Sequence, residues 1–158
     1  VLPAVTDNSQ DPATISKFWD PPPIVPPLVT RAFRFERQNG MWAINGRFVD
    51  CDAPRFRVKK NTAERWILQN NSGGWQHPIH IHFEEFRVLS RNGLAPPAVE
   101  GGRKDVVRLG FNEQVDLLFR FRDFVGRFPM HCHNTVHEDH AMMLRWDIDE
   151  IGDTNPRP

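Results

Sequence analysis

Within twelve residues the chain gathers His131, Cys132, His133, His137 and Met142. That is three imidazoles, one thiol and one thioether. Soft sulfur donors favour Cu(I) while imidazole accepts Cu(II), so two His, one Cys and a weak axial Met form the donor set of a one-electron copper site. Cys132, His137 and Met142 supply three of those four donors. A second cluster, His77-Pro78-Ile79-His80-Ile81-His82, can supply the missing imidazole. Zinc accepts the same Cys and His donors in a tetrahedron, and is the alternative that donor type alone leaves open. All seven histidines fall between residues 77 and 140, and six of them occupy the two clusters. Histidines that merely pack would be scattered. His140 has no place in either cluster and reads as a surface or neighbouring residue. Met143 reads as core filler beside Met142, because adjacent strand residues face opposite ways.

Strand alternation turns this inventory into an arrangement. If residues 129–133 are extended, Cys132 points to one face while His131 and His133 point to the other. One backbone segment then touches two metal sites, joined by a covalent path on the order of 10 Å at ~3.8 Å per Cα step plus side chains. His80 and His82, two apart, share a face. His77, ahead of Pro78, is expected to turn toward the Cys132 side.

With these residues on the page a family likeness emerges. HPIHIH together with HCHNTVHEDHAMM resembles the two C-terminal copper motifs of multicopper oxidases, in particular the bilirubin oxidase and bacterial spore-coat laccase branch. The flanks Phe86-Arg87-Val88-Leu89-Ser90-Arg91, Lys104-Asp105 and Glu138-Asp139 are similar to that branch too, and the likeness runs over roughly residues 31 to 150. The resemblance implies that His77, Cys132, His137 and Met142 bind a type 1 copper, His80 a type 2 copper, and His82, His131 and His133 a type 3 pair. It implies electron entry at His137, which lies at the surface edge in the family, and onward transfer through Cys132. It further implies proton delivery by Glu138. A tryptophan near the blue copper of bilirubin oxidases has the offset of Trp75, which can equally be an ordinary rim aromatic.

The elements that must position these residues read as all-β. Alternation at Ala32–Glu36, Phe56–Val58 and Glu64–Gln69, then at His80–Leu89, Asp105–Leu109, Gln114–Phe121, Arg127–Cys132 and Met142–Ile148, gives eight or so short strands. Turn residues separate them, as in a sandwich. The resemblance makes this a cupredoxin-like Greek-key β-sandwich. Three segments are expected: a proline-rich interdomain linker over 1–30, a C-terminal cupredoxin domain over 31–150 and a polar tail over 151–158. Residues 1–30 hold seven of the fourteen prolines, favouring extended chain, and Ser16–Trp19 is expected to dock as an isolated turn. The Gly93–Gly102 connection is long enough to shape a substrate rim.

At 158 residues the chain can bury a full core, and its twenty basic residues balance twenty acidic ones. That balance offers no argument for nucleic acid or an anionic membrane, and no apolar run reaches the ~20 residues of a membrane span. A Cys51–Cys132 disulfide would destroy the copper site, so Cys51 is expected as a buried free thiol or as one paired outside this chain. Val1 is neither an initiator methionine nor the start of a signal segment, and the chain reads as an internal piece.

The implied activity takes single electrons from phenol-like or related donors and reduces dioxygen to water at a trinuclear copper cluster. A complete enzyme would hold four coppers. The cluster of the family uses eight histidines and this chain offers four, so the N-terminal cupredoxin domains, as a separate or nicked polypeptide, are the expected partner. Other expected partners are dioxygen and a small reducing substrate, with no nucleic acid and no membrane span. The resemblance also implies an extracellular or periplasmic setting. An autonomous electron-transfer or copper-binding cupredoxin is the alternative, and it leaves four histidines without a purpose. A two-domain nitrite reductase would not be expected to flank its type 1 cysteine with histidines.

Overall fold

The computed structural model describes residues 5–11, 14 and 23–158; the expected turn at Ser16–Trp19 lies outside them. Among the described residues, ten strands form two five-stranded sheets packed face to face. The first sheet contains β1 (Val29–Gln38), β2 (Met41–Ile44), β4 (Ala63–Asn70), β6 (Arg87–Arg91) and β8 (Gln114–Arg120), in the order β2-β1-β4-β8-β6. The second contains β3 (Arg57–Lys59), β5 (His77–Ile81), β7 (Val106–Leu109), β9 (Gly126–Cys132) and β10 (Met143–Asp149), in the order β3-β10-β9-β5-β7. A short helix α1 (Thr135–Asp139) follows β9. The all-β sandwich expected from the pattern is what the chain forms.

The sandwich exists because each strand has one apolar row to bury. In β1, Val29, Phe33 and Phe35 face inward while Thr30 and Arg34 face water. Trp66 of β4 occupies the centre, with Phe33, Phe119 and Trp146 at ring separations of 5.2, 4.4 and 5.2 Å. Tilted and edge-on pairs of this kind each add about 0.5–1.5 kcal/mol beyond their area. Parallel pairing of β1 with β4 and of β3 with β10 interleaves chain segments distant in sequence.

One inward position of β1 is a cation. Arg31 is fully buried, its guanidinium forked onto Glu64 at 2.7 and 2.9 Å and bonded to Asp153 Oδ1 at 2.7 Å. It also donates to the carbonyls of Asn155, Asp153 and Arg57. Burial without such complete pairing would be prohibitive. The segment after β10, expected as a polar tail, is thereby held against the sandwich, and Ala32 N–H donates to Pro156 O at 2.8 Å.

Several local expectations change. The strand expected over His80–Leu89 is two strands, because Phe83 adopts φ 83° and the chain leaves the sheet between β5 and β6. Strand β2 was not anticipated; Asn39 and Gly40, at φ 51° and 80°, form the two-residue turn that folds it back on β1. Cys51 is exposed, not buried. The Gly93–Gly102 connection contains a single 3₁₀ turn, Ala98–Glu100, fastened by Arg91 to Glu100 at 2.6 and 2.7 Å.

Candidate metal centre

Strands β5 and β9 are neighbours in the second sheet, with Ile79 opposite Cys132 and His80 opposite His131. Their alternation sorts the donors. His77, Ile79 and Ile81 are buried, whereas Pro78 and His80 face outward. His77 and His80 differ by an odd step and therefore lie on opposite faces. His77 lies on the Cys132 side as expected, brought there by strand alternation alone.

On the inner face, Cys132 Sγ lies 3.6 Å from His77 Nδ1 and 3.5 Å from His137 Nδ1, and the two Nδ1 atoms are 3.1 Å apart. All three residues are buried. His137 arrives from α1, whose first turn is capped by the Asn134 side chain accepting from Val136 N–H. The loop between Cys132 and Met142 closes at its base, with Cys132 N–H donating to Met142 O and Met142 N–H donating to His137 O, both at 3.0 Å. Met142 is fully buried and precedes β10, while Met143 begins that strand and is half-buried.

On the outer face, His82 Nε2 and His131 Nε2 are 3.1 Å apart and the His80 ring stacks on His82 at 4.2 Å. Ligand atoms of His80, His82 and His131 lie within 4.8 Å of one another. His133 is exposed and lies beside this group, its ring 5.6 Å from His131 and 5.8 Å from His80, without joining it. His131 Nδ1 lies 3.3 Å from both Cys132 O and Glu138 Oε1, leaving Nε2 to face His82. Phe83, Phe124 and Phe128 form an aromatic patch beginning one residue beyond His82, with Phe83 and Phe124 exposed.

Burial sets the protonation of the inner group. It holds the His77 imidazolium down to about 4, with His137 adding to the effect, and lowers His137, on which His140 and Arg37 also act. The Cys132 thiol is pushed up to about 11. His80 and His82 are lowered as well, by burial first and then by neighbouring imidazoles. Neutral imidazoles are what a metal requires, whereas the thiol must lose its proton on binding. Two nitrogens and one sulfur converging in a dry pocket suit copper by both softness and number.

Trp42 is the residue that sequence reasoning missed. Its ring lies 3.9 Å from that of His137, with Arg37 over the indole at 5.0 Å and the half-exposed Trp75 edge-on to both rings at 5.4 Å. His137 is consequently 1% exposed, where the resemblance suggested a surface edge. The Asn39-Gly40 dipeptide between two apolar runs was the available signal, since a two-residue turn there sets Arg37 opposite Trp42.

The chain matches a family described as multicopper oxidase over residues 20–151. It is 39% identical over 153 residues to a bilirubin oxidase of Albifimbria verrucaria, covering 93% of this chain and 26% of that protein. It is 42% identical over 120 residues to a laccase of Haloferax volcanii, covering 72% of this chain and 20% of that one. The solved laccase of Pediococcus acidilactici superposes with a TM-score of 0.76 at 28% identity, over 84% of this chain and 29% of that structure. The sandwich is thus of the cupredoxin type. The chain spans about a quarter of the bilirubin oxidase it matches.

Proposed function

Since this chain belongs to the multicopper oxidase family, which implies copper binding, we propose that it is the C-terminal cupredoxin part of a laccase-like or bilirubin-oxidase-like enzyme. Residues 31–150 would form most of that domain, with the start of β1 at Val29 and the segment after β10 packed onto it, and the residues before β1 would be the linker. The observation that carries this reading is the pair of donor sets on opposite faces of β9, with Cys132 in one and His131 in the other.

His77, Cys132 and His137 would hold a type 1 copper, with Met142 as weak axial donor. His80 would hold the type 2 copper, and His82, His131 and His133 the type 3 pair. When bound, copper supplies one-electron oxidation at the first set and, with ligands from elsewhere, dioxygen reduction at the second. The contribution of this chain is position and insulation. Trp42 and Trp75 cover His137 and keep water from the inner set. The single peptide between His131 and Cys132 fixes the two sites relative to each other. Glu138, beside His131 at 3.3 Å and half-buried, would hold and pass a proton between solvent and the outer set.

Supporting a partner domain, the outer set faces away from the core and the Phe83 patch starts beside it. That partner would be the N-terminal cupredoxin domains, which would complete the trinuclear cluster to eight histidines and the whole enzyme to four coppers. The donors would be phenol-like or related small reductants, and the setting extracellular or periplasmic by resemblance. No described helix is long and apolar enough to cross a membrane.

Copper counting and oxygen consumption test the reading. The chain alone should take up one blue copper and consume no oxygen, the intact oxidase should bind four coppers and consume oxygen, and Cys132→Ser in the intact oxidase should lose the blue absorption and the activity with its fold retained. Four-electron oxygen reduction by the isolated chain, or a blue band surviving in Cys132→Ser, would refute it.

A further inference from the structure

Ser72 lies outside both donor sets, yet its hydroxyl oxygen is 2.7 Å from His77 Nε2. Accepting the copper reading of His77, Cys132 and His137, we infer that Ser72, oriented by Asn70, fixes the tautomer of His77, and that the metal-free chain holds His77 and His137 in opposite tautomers. Ser72 is on this view a positioning residue for a metal ligand.

Asn70 is the starting point because its amide can point only one way. It is buried, and its Nδ2 donates to Trp75 O at 2.6 Å and to Gly110 O at 2.7 Å. Carbonyl oxygens only accept, so the amide nitrogen must face them and Oδ1 must face Ser72. That Oδ1 accepts from Ser72 N–H at 3.0 Å and lies 2.5 Å from Ser72 Oγ. An amide oxygen cannot donate, so the one hydroxyl proton of Ser72 goes to Asn70. Toward His77 the hydroxyl can then only accept. His77 therefore carries its hydrogen on Nε2 and presents a lone pair at Nδ1.

The same reasoning passes to the second imidazole. His77 Nδ1 and His137 Nδ1 are 3.1 Å apart and need one proton between them. His77 has none to offer there, so His137 donates its Nδ1 hydrogen. Metal binding then asks different things of the two ligands: His77 is ready as it stands, whereas His137 must first move its proton to Nε2. Hydrogen-bond partners of this kind orient metal ligands and raise their basicity, and their loss typically weakens metal binding by about 10–100-fold.

Long-range ¹H–¹⁵N NMR of the metal-free chain, at a pH where its imidazoles are neutral, reads the tautomers directly. The expected result is Nε2–H at His77 and Nδ1–H at His137. Ser72→Ala should let His77 populate both forms and weaken Cu(I) binding by about tenfold in a competition titration, and Ser72→Thr, which keeps a hydroxyl, should recover both. His77 found as Nδ1–H in the wild type, or an unchanged tautomer ratio in Ser72→Ala, would overturn the assignment. Should Ser72→Ala not fold, the wild-type spectrum alone decides. The expected tautomers in a chain that binds no copper would support the role of Ser72 while refuting the copper reading.

Discussion

Glu138 carries two relationships at once: it follows His137 in sequence and meets His131 Nδ1 across space at 3.3 Å. The helical turn of α1 makes both possible, since Thr135–Asp139 rotates successive residues by about 100° and swings Glu138 away from His137. Under the proposed function, reducing dioxygen to two waters consumes four protons, and a carboxyl beside the outer set would serve to deliver them. Glu138→Gln keeps the shape and removes the ionisable carboxyl. We expect copper spectra unchanged in the intact oxidase, reduction by substrate nearly unchanged, and reoxidation by oxygen slowed by about 100-fold. Stopped-flow measurement of the two half-reactions checks this, and reoxidation at the wild-type rate would remove Glu138 from proton delivery.

At the scale of elements, the segment after β10 is fastened by contacts that leave little room for variation. Gly152 adopts φ +68°, and a Cβ there would lie 2.6 Å from Lys59 N and 2.8 Å from Lys59 Cβ. Gly152→Ala should therefore destabilise the chain by about 1–3 kcal/mol, through backbone strain and displacement of β3 together; urea unfolding measures it. Such fastening was not legible beforehand, because Glu64 and Asp153 lie 33 and 122 residues along the chain from Arg31 and meet it only in the folded sandwich. The copper motifs were legible for the opposite reason. His77, His80 and His82 lie within six residues, so local parity separates the inner from the outer donors of that segment, and Cys132 and His137 lie within six residues as well, joined by the short helix α1. The Asn39-Gly40 turn signals the hairpin that carries Trp42 but not its contact with His137, and no spacing in the sequence expresses how Ser72 reaches His77 across a loop. The break at Phe83 was hidden as well, since positive φ at a bulky residue runs against its local preference.

For the molecule as a whole, the buried imidazoles tie stability to acidity. His77 protonates near 6.5 when unfolded and at about 4 when folded, so the unfolded chain binds the proton first as pH falls. The stabilising contribution is complete above pH 6.5 and is lost progressively as pH falls to about 4. A shift of this size is worth about 3 kcal/mol, with His137 acting in the same direction. Thermal unfolding of the metal-free chain above pH 6.5 and near pH 4 should show that loss, and His77→Phe should flatten it. A metal-free chain equally stable at both pH values would contradict the burial of neutral His77.

The placement of Cys132 and His131 on opposite faces of β9 has a consequence for how this chain can tolerate change. A single residue inserted into β9 ahead of His131 would not blunt one site while sparing the other. It would send the sulfur outward among the histidines of the outer set and His131 into the core, because a shift of one position reverses every side chain of a strand. Two inserted residues would return both to their proper sides. Among descendants of this sequence, length changes in β9 should therefore be found in even steps or not at all, whereas the tip of the Gly93–Gly102 connection is free to lengthen by any number.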